Sequence, residues 1–143
     1  MGFALRIAFV DVVCDNSLKN VYVNGNNAGF EFDIRLAYYR GHYLSCIDLL
    51  EVYVDGEKVP EETVRFGLNG KEFSVCQLKY CFNEFWRLRN PARISVIKDG
   101  GLNAGKHHIE IKLMLRVPYM ALGGDHNYMP LDSCGEKTLE VVE

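Results

Sequence analysis

Residues 29–45 read GFEFDIRLAYYRGHYLS, and no other stretch limits the possible folds of this chain so strongly. From Phe30 the apolar side chains occupy every second position (Phe30, Phe32, Ile34, Leu36, Tyr38), with Glu31, Asp33, Arg35 and Tyr39 between them. A period of two means a strand with one dry face and one wet face. The alternation is long for a strand, which predicts a central position in a sheet. Its end departs from the pattern, because Tyr38, Tyr39, Arg40, Gly41, His42 and Tyr43 follow one another without an aliphatic residue. That composition is common on contact surfaces, and it equally suits a strand end whose rings cover the rim of a core. Both readings stay open at this level.

The rest of the chain repeats the same grammar. Phe3, Leu5, Ile7 and Phe9 alternate with Ala4, Arg6 and Ala8, predicting a first strand that runs to about Val13. A short strand over residues 18–23 is closed by a turn at Asn24-Gly25-Asn26-Asn27. Asp55-Gly56 and Asn69-Gly70, each flanked by strand-like runs, predict two more hairpins. Ile94 and Val96 mark a further strand, and Ile109, Ile111, Leu113, Leu115 and Val117 a second long one. Residues 138–142 suggest a closing strand. Residues 77–89, QLKYCFNEFWRLR, fit neither period and admit a short helix or an irregular crossover. Residues 119–135 lack periodicity and hold Gly123-Gly124 and Pro130, so they read as a mobile loop.

Short strands, tight turns and almost no helical period predict an all-β protein, an antiparallel two-sheet β-sandwich of about nine strands. A length of 143 residues fits one domain over residues 1–143 and can hide about two thirds of the chain's surface. At the start of the last long strand, Leu102, Gly105 and the pair His107-His108 are spaced like the tyrosine corner of β-sandwiches. By that analogy one of the two histidines ties the preceding loop to the strand through a bond to backbone.

Net charge is −3 and the cations are scattered singly, which argues against nucleic acid. Arg6 and Asp11 break the amino-terminal apolar run into pieces too short for a signal core, and no stretch approaches a membrane span. The five cysteines (Cys14, Cys46, Cys76, Cys81, Cys134) form no framework and are expected reduced, with burial as their default. A soluble, cytoplasmic protein is the expectation.

Three blocks carry a resemblance: GFEFDIRLAYYRG, LSCIDLLEVYVDGEKV and GGLNAGKHHIEIKLMLRVPYM. Together they resemble the small β subunit of bacterial C-glycoside deglycosidases, over residues 17–119. The resemblance implies a β-rich sandwich that assembles with a larger α subunit, a barrel similar to sugar phosphate isomerases and epimerases, in a higher-order αβ hetero-oligomer. It also implies that the α subunit holds a divalent metal, manganese, and acts on a C-glycoside already oxidised to its 3-keto form. A carbon leaving group has no lone pair for an acid to protonate, so simple hydrolysis fails. The ketone makes the C2 proton acidic, a metal on its oxygen stabilises the enolate, and the enolate expels the aglycone from C1 by β-elimination.

The residues read by themselves agree with a supporting role. His107 and His108 point to opposite faces of a strand, and His108 with Glu110 supplies only two ligands, with Asp125 and His126 as remote additions. Glu61-Glu62 reads as a solvated corner rather than an acid/base pair. No nucleophile elbow and no phosphate loop is present. No catalytic residue, metal ligand or cofactor is therefore assigned to this chain. Tyr38, Tyr39, Arg40 and Tyr43 are candidates for the partner interface, since such side chains bury large area and keep polar tips. Tyr38 to Gly41 match the family block, whereas His42 and Tyr43 stand where many relatives carry smaller or proline-like residues. Trp86 is either a second anchor or core. The alternative function is a stand-alone carbohydrate-binding sandwich, with Tyr39, Tyr43 and Tyr53 as stacking rings.

Overall fold

Three two-residue turns set the frame. Asn24-Gly25, Asp55-Gly56 and Asn69-Gly70 each place both residues at positive φ (53 and 80°, 50 and 85°, 54 and 76°). That geometry matches the twist of paired strands and is open at low cost only to Gly, Asn and Asp. A computed structural model describes residues 6, 10–38, 40–121 and 128–142, with residues 118–121 and 128 described by their backbone.

Among the described residues the chain forms β1 (Lys19–Val23), β2 (Asn26–Ile34), β3 (His42–Tyr43), β4 (Ile47–Val54), β5 (Glu57–Lys58), β6 (Val64–Leu68), β7 (Lys71–Ser74), β8 (Phe85–Trp86), β9 (Ala92–Ile97), β10 (Lys106–Ala121), β11 (Tyr128–Asp132) and β12 (Gly135–Glu140). One sheet has the order β1-β2-β9-β6-β7, the second β11-β10-β4-β5 with β12 also on β10, and β3 pairs with β8 apart from both. All these pairings are antiparallel. The fold is an all-β sandwich with more strands than the nine or so expected, because β3, β8 and β11 are too short or too irregular to leave a period in the sequence.

Alternation explains the core. Phe30, Phe32 and Ile34 of β2, Phe66 of β6 and Ile94 of β9 face Val52 of β4 and Ile109, Ile111, Leu113, Leu115 and Val117 of β10, all buried. Each such side chain contributes roughly 1.5–3 kcal/mol by leaving water. β2 lies inside its sheet between β1 and β9. It stops pairing with β9 at Ile34, yet Leu36 and Tyr38 remain buried, because the segment at Val12 and Val13 takes over as neighbour through an Arg35 N–H bond to Val12 O and a Val13–Ile34 bridge. The expected first strand is corrected where it is described: Arg6 and residues 10–12 lie in no strand and Val13 makes only that isolated bridge, while residues 3–5 and 7–9 are outside the described set.

The expected loop over residues 119–135 is corrected in part. β10 continues to Ala121, and β11 returns along it from Val117–Met129 to Met114–Asp132, while residues 122–127 are outside the described set. Pro130 hid this strand, but β11 ends its sheet, where a residue without an N–H is tolerated. β10 thus carries β4 on one edge and both β11 and β12 on the other. Among the described residues no helix is long and apolar enough to cross a membrane.

Candidate partner interface

At the end of the sandwich where β2 finishes, two irregular segments run side by side. β3 pairs His42 with Trp86 and Tyr43 with Phe85. Leu44 N–H then donates to Glu84 O (2.9 Å) and Ser45 N–H to Cys81 O (3.3 Å). Residues 75–80 before this crossover form a short 3-10 turn that Gln77 closes by accepting from Ser74 N–H at 2.8 Å. The undecipherable segment is therefore both things at once: one tight helical turn, then an irregular crossover.

This arrangement sorts the proposed interface residues. Tyr38 and Trp86 are buried in the chain's own core, so they offer a partner no surface. Trp86 packs edge-on against Phe66 (5.3 Å between centroids), and its indole N–H donates to Asn90 O at 2.7 Å. Tyr38 ends the apolar alternation of its strand and rests on the His42 ring at 5.8 Å. Tyr39 lies outside the described residues. Arg40 and Tyr43 are exposed, Tyr43 by 47%, and the Tyr43 ring meets Phe85 edge-on at 4.9 Å.

At this end of the sandwich three further rings are exposed: Tyr80 (69% exposed), Phe82 (66%) and Phe85 (38%). The available signal was an aromatic-rich run without any period, which means that its rings cannot all face one core. Gly41 makes the local packing possible, since a Cβ there would sit 2.6 Å from Trp86 O and 2.7 Å from the Phe85 ring. His42 behind them is buried with no well-formed hydrogen bond to either ring nitrogen, and the Arg40 backbone offsets only part of that cost. Burial lowers its pKa and keeps the imidazole neutral.

The opposite end holds the histidine corner. Asn20 clamps Leu102, accepting from its N–H (2.9 Å) and donating to its carbonyl (3.0 Å). Gly105 follows at φ 115°. His107 places Nε2 2.7 Å from Asn103 O and Nδ1 2.7 Å from Asp55 Oδ2. Asp55 Oδ1 accepts from His108 N–H at 2.9 Å, and the His108 ring turns instead toward Thr138 and Glu136. Both His107 contacts are acceptors, which suits a doubly protonated ring. Its pKa is raised, first by the Asp55 bond, and that of Asp55 is lowered by the same bond.

A cleft of about 710 Å³ opens beside this corner, lined by Asp55, Lys58, Lys98 and Asn103 among others. Both nitrogens of His107 are already engaged, so the pair offers no spare base. Among the described residues no three of His, Cys, Asp and Glu converge as a metal site. Asp125 and His126 lie outside the described residues. Glu61 and Glu62 stand exposed on a turn. Cys76 is exposed, against the expectation of burial, because it sits on the outer side of the 3-10 turn. The other four cysteines are half-buried, and burial raises each thiol pKa, away from nucleophilic thiolate. Tyr53 is a poor sugar platform, since the Lys112 ammonium lies 4.8 Å over its ring.

Comparison with known proteins points one way. A family model described as C-glycoside deglycosidase beta subunit matches residues 9–119. A protein of that name from Eubacterium cellulosolvens is 33% identical over 97 residues, which is 68% of this chain and 66% of the relative. Another from Microbacterium trichothecenolyticum is 31% identical over 110 residues (77% and 82%). A 3′-dehydrocarminate deglycosidase beta subunit from a Microbacterium species is 29% identical over 118 residues (82% and 87%).

Proposed function

This chain belongs to the C-glycoside deglycosidase beta subunit family, and from that footing we propose that it is the non-catalytic β subunit of such an enzyme. The match over residues 9–119 carries the reading. In this reading the chain assembles with and stabilises a barrel-shaped α subunit, which holds the divalent metal and the base. The pair cleaves the carbon–carbon bond of a 3-keto C-glycoside. Loss of the C2 proton and departure of the C1 substituent leave an unsaturated keto sugar, and the electron pair of the broken bond takes up a proton on the aglycone ring. That is a lyase reaction, with no oxidant or water consumed. A flavonoid-like phenolic aglycone suits it, because phenol groups help the ring accept that charge.

Support from the chain itself is the character of its exposed chemistry. The described residues offer aromatic contact surface at one end and, at the other, a histidine with both ring nitrogens already engaged. The test is coexpression with the α subunit encoded in the same genome, followed by an elimination assay on a 3-keto C-glycoside. Aglycone release should require both chains. Release by this chain alone, or full activity of the α subunit without it, would overturn the reading.

A further inference from the structure

We infer that the surface through which this chain meets the α subunit is the aromatic patch of Tyr43, Tyr80, Phe82 and Phe85, and that the α subunit presents to it an acidic face with an apolar centre. The inference rests on the subunit reading above and names the surface that such assembly uses. Tyr43 belongs to it, Arg40 is exposed three residues earlier in the chain, and Tyr38 and Trp86 are buried.

Two observations carry it. The rings come from segments held together: Tyr43 and Phe85 touch, and the backbone bonds from Leu44 and Ser45 to Glu84 and Cys81 hold the segment bearing Tyr80 and Phe82 beside them. Four large rings gathered at one end of a sandwich, two of them about two-thirds exposed, are what an interface centre requires and what a free surface avoids.

The second observation is charge. The whole chain carries −3, yet residues 76–90 hold Lys79, Arg87 and Arg89 against Glu84 alone. Glu84 is already paired with Lys71 at 2.7 Å. Lys79 leans over the Tyr80 ring at 5.1 Å, and neither it nor Arg87 nor Arg89 has an ion pair among the described residues. A segment with exposed rings that also carries three cations without ion pairs among the described residues selects an acidic partner surface. It also disfavours a second copy of this chain, because a two-fold dimer would press the same cations together.

The experiment uses the full chain coexpressed with the α subunit of the same genome, and measures complex formation by pull-down and by titration calorimetry. Tyr80→Ser with Phe82→Ser should weaken binding by about tenfold or more, and Lys79→Glu with Arg87→Glu should do the same and flatten its salt dependence. Both pairs are exposed, so thermal melting of the free chain should be unchanged. Tyr22→Ser with Ile97→Ser, two exposed apolar residues toward the other end, should bind like the natural chain. Normal binding by both patch variants overturns the surface and leaves the subunit reading standing. Failure of the natural chain to bind the α subunit overturns both. Binding to phosphatidylserine vesicles in place of the α subunit also overturns the proposal.

Discussion

His107 and Asp55, 52 residues apart in sequence, meet at 2.7 Å and lock the start of β10 to the β4–β5 turn. The histidine pKa is raised and the aspartate pKa lowered in the folded chain, so both contribute most where His107 is protonated and Asp55 ionised. That window lies between about pH 4 and pH 6.5. The histidine part fades as pH rises through its folded pKa, and the aspartate part as pH falls through its own.

His107→Phe should therefore cost about 1 kcal/mol in mild acid, a modest figure because Asp55 is half exposed. The cost should shrink in alkali. Urea denaturation of both proteins at about pH 5.5 and about pH 9 measures it. An equal cost at both would show that packing, and not the charged pair, holds the corner.

His42 predicts the opposite sign. Burial lowers its folded pKa, so below about pH 6.5 the unfolded chain takes up a proton that the folded chain refuses. Its share of stability is lost as pH falls from there to the folded pKa. His42→Leu should remove two buried nitrogens without well-formed hydrogen bonds, raise stability by about 1 kcal/mol and flatten the acid side of the profile. A destabilised variant would show that the Arg40 backbone or bound water satisfies this ring.

Gly41→Ala places a methyl group against Trp86 O and the Phe85 ring. Backbone cannot swing away like a flexible side chain, so the β3–β8 pairing must shift at a cost of about 1–3 kcal/mol. Chemical denaturation should register that loss, with a change in near-ultraviolet dichroism from the displaced rings. Unchanged stability would mean that this crossover is loosely held.

Trp86 is the single tryptophan and is fully buried. Its emission should be blue-shifted and insensitive to iodide in the free chain, and should stay so when the α subunit binds. Strong quenching would place the indole at the surface and restore it as a candidate anchor.

The sandwich was legible because alternation and turn chemistry are local. Phe30, Phe32 and Ile34 declare their inner face without reference to any other strand, and Asn24-Gly25 declares a turn by its own backbone freedom. The histidine spacing suggested a tie between loop and strand, but Asp55, the other half of the bond, is invisible at that distance in sequence. β11 stayed hidden because a proline edge strand needs a neighbour, β10, to define it.

The aromatic end divides most clearly. Sequence alone determined that rings gather around Gly41 and in residues 77–89, since composition is carried by the chain itself. Only the tertiary structure decided which of them face water, because Tyr38, Trp86 and Phe85 differ in where the crossover sets the backbone rather than in kind. Local periodicity reports burial where a strand is straight. Where the chain turns, burial depends on which distant segment covers it, and that is a property of packing.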